Sequence, residues 1–349
     1  MAYTIYAASS IKACGTLFNT VMDIDPTVAM YIAAFIIVAY TFLGGFSAVC
    51  WTDFFQGMIM LAALLIAPLF ALALAKAGDG AVAGATLPEG FFNFFTTPQD
   101  IISGLGWGLG YFGMPHIIIR FMSLKSEKEL RKSSVIGISW TTIILIMSAL
   151  TAVAGRLYLG EIDDPSTVFI TMVRRIFPAL VSGLLLSAIL SAAMSTADSQ
   201  LLAASSAFAS DVYKPVIRKK ASDSEMLWAG RIVVIVIAVV ALMIASDPNS
   251  GSIMGLVENA WGVFGAAFGP VILLSLFWKR LTFGGTVAGI AVGAAVDILW
   301  LVFLSSTDIY EIVPGFAAGL LAAVVVSLLS KGPGKDVEDL FDRAVDLKS

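Results

Sequence analysis

Small hydroxyl-bearing and alanine residues are concentrated in one apolar stretch, residues 187–210, where they fill sixteen of twenty-four positions. Within it, Ala192, Ser195, Thr196 and Ser199 follow the i, i+3, i+4, i+7 spacing and share one face of a predicted helix. Adjacent hydroxyls with a backbone carbonyl one turn earlier are hard, neutral oxygens that a dehydrated alkali cation accepts. A packing seam, with hydroxyls bonded to their own helix carbonyls, is the alternative that composition by itself favours.

An acidic residue follows a glycine pair near the start of the chain, in the run YTFLGGFSAVCWTDFFQ at residues 40–56. Gly44 and Gly45 are expected to break one helix, and Thr52 with Asp53 can cap the start of the next. Local sequence favours this plain N-cap. A waypoint for a cation is the alternative, because Asp53 has no Lys or Arg among its near neighbours in the sequence.

Glycines recur in GLGWGLGYFGMPHIIIR, residues 104–120, which formally contains the GxGxxG fingerprint of dinucleotide-binding proteins. We reject nucleotide binding, because no strand is predicted before the run and the run lies in an apolar segment. Gly106 and Gly110 instead form a small-xxx-small face, which predicts close approach to another helix.

Two aromatic residues of the same run, Trp107 and Tyr111, are four positions apart and share a helix face, with Pro115 a turn further on. Aromatic side chains beside a glycine seam can wall a substrate pocket, and the proline would free a backbone carbonyl. An aromatic belt at the membrane surface is the alternative, although Trp107 lies near the middle of its segment.

Three other ionisable residues lie in or beside apolar segments: His116, Glu258 and Asp297. A single histidine next to Arg120 is more often structural than part of a proton relay. Acids inside membrane segments are functional candidates by default, although Glu258 and Asp297 could pair internally or face an outer vestibule.

The composition is that of a polytopic membrane protein, with 58% hydrophobic and 13% charged residues and a mean hydropathy of +0.92. One histidine and two cysteines without a CxxC pair argue against a multi-histidine zinc site or a His-dependent catalytic centre. We therefore expect no enzyme activity, no resident cofactor and no nucleic-acid partner. The lipid bilayer is the expected environment.

Nine segments are long and apolar enough to cross a bilayer core of about 20 helical residues. They are residues 28–46, 53–77, 98–120, 133–158, 177–208, 225–246, 252–278, 283–304 and 309–330. Residues 2–20 are predicted to form a tenth helix, and no cleavable signal peptide is apparent.

Basic and acidic loops alternate along these segments, and the positive-inside rule places the basic loops and the C-terminus in the cytoplasm. The loop at residues 156–175 departs from this pattern, because it carries Arg156, Arg174 and Arg175 on the predicted outer side. We interpret residues 166–176 as a short amphipathic helix on the outer surface, with its arginines facing headgroups or loop acids.

Four motifs in order, YTFLGGFSAVCWTDFFQ, GWGLGYFGMPHIIIRFM, ILSAAMSTADSQLLAASSAFASDVY and NAWGVFGAAFGPVILLSLFWKR, resemble the sodium:solute symporter family, most closely its proline-carrying members. The resemblance runs from Ala2 to about Trp300. It implies the inverted-repeat fold of the leucine transporter, with two five-helix repeats, central ion and substrate sites, and alternating access.

The resemblance also implies roles for individual residues. Half of a sodium site would be formed by the Ala192 carbonyl, Ser195 and Thr196, which makes ion binding rather than packing the expected role of that face. Asp53 would take part in sodium handling, and Trp107, Tyr111 and Pro115 would contribute to the substrate pocket, with His116 beside them. Met114 stands where a proline carrier is expected to have glutamine.

Family members are expected to carry about three helices before the point where this chain begins. The resemblance therefore implies an N-terminally truncated symporter that would not transport alone. In this interpretation, residues 1–349 form one transporter domain. Residues 1–77 are the remainder of the first repeat, residues 98–278 the second repeat, residues 283–330 two extra helices and residues 331–349 a cytoplasmic tail.

The predicted function is sodium-coupled uptake of a small solute, L-proline first, across the plasma membrane, as in a bacterial inner membrane. Another amino or carboxylic acid, for example a pantothenate-like one, is the closest alternative. A sensor module of the same fold and a non-functional fragment also remain open. The short tail after Ser330 argues against an attached signalling domain, and a membrane enzyme is disfavoured because no catalytic constellation is apparent.

Overall fold

The computed structural model describes residues 1–93 and 97–346, and within them the α-helix is the dominant element and no strand occurs. The α-helices of these residues are α1 (Ala2–Met22), α2 (Pro26–Ala77), α3 (Pro98–Gly113), α4 (Pro115–Met122), α5 (Glu127–Leu159), α6 (Val168–Ile176), α7 (Ala179–Ala207), α8 (Asp223–Ser246), α9 (Ile253–Phe277), α10 (Phe283–Phe303), α11 (Ile312–Leu329) and α12 (Lys335–Asp346). A π-helical segment, Phe208–Ile217, extends α7. The all-α prediction is confirmed.

Helix α2 is 52 residues long and contains a kink at Gly45, where φ is 62° and ψ is −167°. At 1.5 Å per residue such a helix measures about 78 Å, more than twice the ~30 Å hydrocarbon core of a bilayer. Glycine alone adopts this backbone conformation without strain. The kink divides α2 into two arms that correspond to the predicted segments 28–46 and 53–77.

The predicted segment 98–120 is two helices rather than one. Helix α3 ends at Gly113, Met114 is extended with φ −82° and ψ 103°, and α4 begins at Pro115. A proline clashes with an α-helical residue before it and lacks the N–H that would continue the helix. The prediction of one continuous helix was therefore wrong at Met114, and the chain has a helix break there.

The other predicted segments are confirmed as helices, with ends that differ by a few residues. Residues 133–158, 177–208, 225–246, 252–278, 283–304 and 309–330 correspond to α5, α7, α8, α9, α10 and α11. Among the described residues, seven helices are long and apolar enough to cross a membrane, with α2 counted once and α3 too short at 16 residues. The predicted tenth helix is α1.

The chain divides into two compact units. The first unit comprises residues 3–91 and 120–253, and the second comprises residues 92–119 and those from 254 onward. In the first unit, α2 packs against α5, α7 and α8. Ala63, Ala67 and Ala71 are fully or almost fully buried in this packing, which lets the second arm of α2 approach its neighbours closely.

The short helix predicted at residues 166–176 is present as a 3-10 turn, Pro165–Thr167, followed by α6. Its buried face carries Ile170, Met172 and Val173, which join the core formed by α2, α5 and α7. Arg174 donates a hydrogen bond to the Thr20 carbonyl at 2.9 Å. The helix is thus amphipathic, as predicted.

Glycine contacts organise the second unit. A Cβ added to Gly113 would collide with the Phe264 carbonyl of α9, and one added to Gly293 of α10 would collide with the Ala266 carbonyl. A Cβ on Gly106 would lie 2.6 Å from Val313 of α11. The predicted close approach along the glycine face of α3 is therefore confirmed.

Large apolar side chains are exposed along the membrane-crossing helices. Leu43, Met243 and Phe303 are 76%, 68% and 73% exposed. Such a surface would cause a water-soluble protein to aggregate, whereas hydrocarbon solvates it. The protein is therefore a multi-pass membrane protein.

Candidate functional site

The hydroxyl-bearing face of α7 lies within the first unit and is partly to fully buried. The Ser195 hydroxyl donates to the Ala192 carbonyl, with the two oxygen atoms 3.2 Å apart. This is the bond expected of a packing seam. Two oxygens that bind the same cation have a similar separation. With cation–oxygen distances of about 2.4 Å and an oxygen–cation–oxygen angle near 90°, the two oxygens lie roughly this far apart.

Asp53 lies next to this face and is held by charged and neutral donors. Arg120 places its Nη2 2.5 Å from Asp53 Oδ2 and 2.6 Å from Ser199 Oγ, and the Ser199 hydroxyl is 3.3 Å from the same carboxylate oxygen. Ser199 is one helical turn beyond Ser195. The structure thus brings Asp53 to the predicted ion-binding face of α7.

The expectation that Thr52 and Asp53 begin a helix is wrong. Thr52 donates to the carbonyls of Ala48 and Val49 at 3.1 and 2.9 Å, which places it inside the second arm of α2. The break at Gly45 is tight, so the helix resumes well before Thr52. The interpretation of Asp53 as an acid without a basic partner is also corrected, because Arg120, distant in sequence, pairs with it.

Asp198 is a second acid at this site, and the sequence reasoning missed it. Its side chain is fully buried, and Oδ2 accepts a 2.7 Å hydrogen bond from the Tyr40 hydroxyl. The same hydroxyl is 3.2 Å from the Met194 carbonyl. The available signal was a carboxylate inside an apolar helical segment, which is costly unless it has a function or a partner.

These residues fit a hard cation. Within the described residues, Asp53 Oδ1 and Asp198 Oδ1 are buried and have no hydrogen-bond partner. Together with the Ala192 carbonyl and the Ser195 hydroxyl they offer charged and neutral oxygens, the ligand type that sodium accepts. Thr196 lies on the same face and is half-buried.

The predicted substrate residues Trp107 and Tyr111 lie in the second unit, where an aromatic cluster surrounds them. Both contact Trp261 of α9, at ring-centroid distances of 5.9 and 5.0 Å, and Trp107 also contacts Tyr310 at 5.4 Å. The Trp261 indole N–H donates to the Trp107 carbonyl at 3.1 Å. Trp261 was present in the motifs but was not singled out as a site residue.

Tyr111 remains 48% exposed, so one side of this cluster is not covered by protein within the unit. Close packing of Trp261 requires Gly110, because a Cβ there would overlap the indole ring. Pro115 is half-buried as the first residue of α4, and His116 follows it. Met114 is fully buried at the break, and its carbonyl accepts from the N–H groups of Ile117 and Ile118.

Comparisons with known proteins show which family the chain matches. The sodium:solute symporter family profile matches residues 1–293. The high-affinity proline transporter PutP of Bacillus subtilis (strain 168) is 43% identical over 354 residues, which cover 99% of this chain and 75% of that protein. A sodium/proline symporter of Haemophilus influenzae is also 43% identical, with 98% and 71% covered.

A solved structure shares the fold. It is described as the substrate-bound, outward-open state of a Na+-coupled sialic acid symporter that reveals a novel Na+ site. It matches 95% of this chain and 73% of its own chain with a TM-score of 0.73 and 20% sequence identity. The predicted leucine-transporter-like fold is confirmed by this match.

The buried Tyr40–Asp198 contact generates a stability prediction. Tyr40→Phe removes the hydroxyl that donates to Asp198 Oδ2, and we expect the free energy of unfolding to fall by about 1–3 kcal/mol because a buried acceptor loses this bond. Thermal unfolding of the purified protein measures the change. Tyr31→Phe, at a 57% exposed tyrosine of the same helix, is the matched control. Adding Asp198→Asn to Tyr40→Phe should recover part of the loss. Equal stability of the two Phe variants would contradict the assignment.

Proposed function

Because the chain belongs to the sodium:solute symporter family, we propose that it carries L-proline into the cell, driven by sodium entering down its gradient. The observation that carries the choice of proline is the similarity over nearly all of the chain to two proteins named as proline transporters. Another small amino or carboxylic acid is the closest alternative, since Met114 departs from the expected glutamine.

Sodium binding is proposed at the α7 face of the first unit. The Ala192 carbonyl, Ser195 and Thr196 would supply neutral ligands, and Asp53 would hold the ion on its path. The 3.2 Å oxygen pair and the unpartnered, buried Asp53 Oδ1 support this arrangement. Neutral ligands must be placed accurately around the ion to offset the free energy of removing its water. A closely packed helix of small residues holds its oxygens in fixed positions.

Substrate binding is proposed beside the helix break in the second unit. Helix ends leave backbone carbonyls and N–H groups without helical partners, and an amino acid carries a group complementary to each. Trp107 and Tyr111 would offer aromatic surface to the apolar proline ring, with Trp261 holding both in place. Pro115 would fix the break, because it prevents α3 and α4 from joining.

Coupling follows if sodium binds one conformation more tightly than the other. A bound ion then raises the affinity for substrate, and bound substrate raises the affinity for sodium by the same factor. The protein would lie in the plasma membrane with its C-terminus in the cytoplasm, as the distribution of basic loops indicates.

The proposal is tested by uptake of labelled proline into proteoliposomes, with and without an inward sodium gradient. The chain is assayed both alone and preceded by the helices that the family resemblance leads us to expect. We expect sodium-dependent accumulation that unlabelled proline competes away. Sodium-driven uptake of other solutes but not proline would reject the substrate, and uptake of no solute by either form would reject the function.

Ser195→Ala and Thr196→Ala each remove one proposed sodium ligand. We expect the sodium concentration for half-maximal uptake to rise by about tenfold, the effect of losing roughly 1.4 kcal/mol of binding, while proline affinity at saturating sodium changes little. The matched control is Ser187→Ala, since Ser187 is on the same helix and donates to the Leu184 carbonyl at 2.6 Å, also three residues earlier. Equal losses of sodium and proline affinity would contradict the ligand assignment.

Arg120→Gln removes the guanidinium that forms an ion pair with Asp53. If sodium uses this carboxylate, the ion and Arg120 compete, so the substitution should lower the sodium concentration for half-maximal uptake. The effect is expected to be up to about fivefold, because Arg120 is 47% exposed and such ion pairs contribute about 1 kcal/mol or less. Lys125→Gln, an exposed cation five residues on, controls for loss of charge. An unchanged or higher sodium requirement would show that sodium does not use Asp53.

A further inference from the structure

Two buried acids face each other in the second unit. Asp297, in α10, is fully buried, and Glu311, immediately before α11, is 8% exposed. Within the described residues, both carboxylate oxygens of Asp297 and Oε1 of Glu311 are buried without a hydrogen-bond partner. The proposed transport function uses neither residue.

The two carboxylates converge on one point of the α9 backbone. A Cβ placed on Gly262 would lie 2.9 Å from Asp297 Oδ1 and 3.3 Å from Glu311 Oε1. Glycine is required here because a side chain would fill the space between the acids. On the other side, a Cβ on Gly315 of α11 would lie 2.9 Å from Asp297 Cβ, so small residues on two helices enclose the pair.

The basic side chains described in this unit are engaged elsewhere or form no ion pair with these acids. Lys279 Nζ lies 2.6 Å from Asp342 Oδ2, and Arg280 donates to the Ser330 carbonyl at 3.1 Å. The Tyr310 hydroxyl, close in sequence to Glu311, donates to the Glu258 carbonyl. An ionised carboxylate buried without a counter-charge costs several kcal/mol, so the pair must take up a proton or bind a cation.

A cavity of about 280 Å³ reaches Glu311, one member of the pair. Its lining includes Glu311 itself, the acids Glu258 and Asp308, and the indole of Trp300. The described lining holds no Lys or Arg, so its charge is negative and attracts cations. The connection between α10 and α11 thus forms an acidic entrance to the buried pair.

We propose that Asp297 and Glu311 bind a monovalent cation of sodium size at the connected ends of α10 and α11. Three unpartnered, buried carboxylate oxygens are available as hard ligands for such an ion. The site lies in the second unit and is separate from the α7 face. It does not depend on which solute the protein carries.

The test measures sodium-dependent thermal stabilisation of the purified full chain. The parent protein carries Ser195→Ala and Thr196→Ala, so that the α7 ligands are removed. Unfolding midpoints are compared in sodium chloride and in choline chloride at equal ionic strength, because a cation that binds only the folded state raises the midpoint. We expect sodium to raise the midpoint of this parent.

Asp297→Asn should abolish this sodium-dependent rise, and Glu311→Gln should increase the sodium concentration for half the rise by about tenfold or more. Asp336→Asn is the control, because Asp336 is an exposed acid of α12 in the same unit and does not line the cavity, and the rise should be retained. Should Asp297→Asn fail to fold, Glu311→Gln at the rim of the pair decides the result.

Three outcomes would overturn the proposal. An equal sodium effect in the parent, Asp297→Asn and Glu311→Gln would place the ion elsewhere. A midpoint that depends on pH and on Asp297 but not on sodium would assign a proton to the pair. A larger rise with calcium at lower concentration, lost in Asp297→Asn, would reject a monovalent ion.

Discussion

Close approach of helix backbones at small residues is the constraint on which the rest of this structure depends. In lipid, helices gain little from burying apolar surface, so contact area and internal hydrogen bonds must hold them together. Gly113 and Gly293 lie against backbone atoms of α9. In the second arm of α2, buried alanines allow the neighbouring helices to pack closely. Each approach also positions polar groups, since side chains projecting from such a contact have few rotamers open to them.

In the first unit, close helix packing positions several polar side chains. Tyr40 reaches Asp198, and Arg120 reaches both Asp53 and Ser199, across contacts between elements far apart in sequence. Without these bonds, two carboxylates would be buried in a low-dielectric interior at considerable cost. Each of these carboxylates accepts hydrogen bonds at Oδ2 and presents an unpartnered Oδ1. A site for a cation is therefore compatible with a stable fold, because part of the cost of burying charge is already offset by protein donors.

The helices, the kink at the glycine pair and the amphipathic α6 could all be predicted, because each depends on local composition or periodicity. The break at Met114 was missed although its signal, a residue before proline, is local. The apolar residues on both sides of Met114 favoured a single membrane segment instead. Arg120 as partner of Asp53 could not be read from spacing, because 67 residues separate them. Trp261 and Asp198 were visible as residue types, but their neighbours are set by tertiary packing. The roles of the individual site residues rest on the family resemblance and on the geometry described above.

The shared position of Arg120 between Asp53 and Ser199 has an electrical consequence. A monovalent cation that takes the place of the guanidinium leaves the net charge beside Asp53 the same before and after the exchange. In the proposed exchange, the net charge beside Asp53 then changes little, and the displaced guanidinium takes its own charge with it. The transmembrane potential does work on charge only over the distance it travels, about 2.3 kcal/mol per elementary charge per 100 mV for a full crossing. Voltage would therefore act mainly on the ion's approach to this pocket and on the displacement of the arginine, rather than on the binding step.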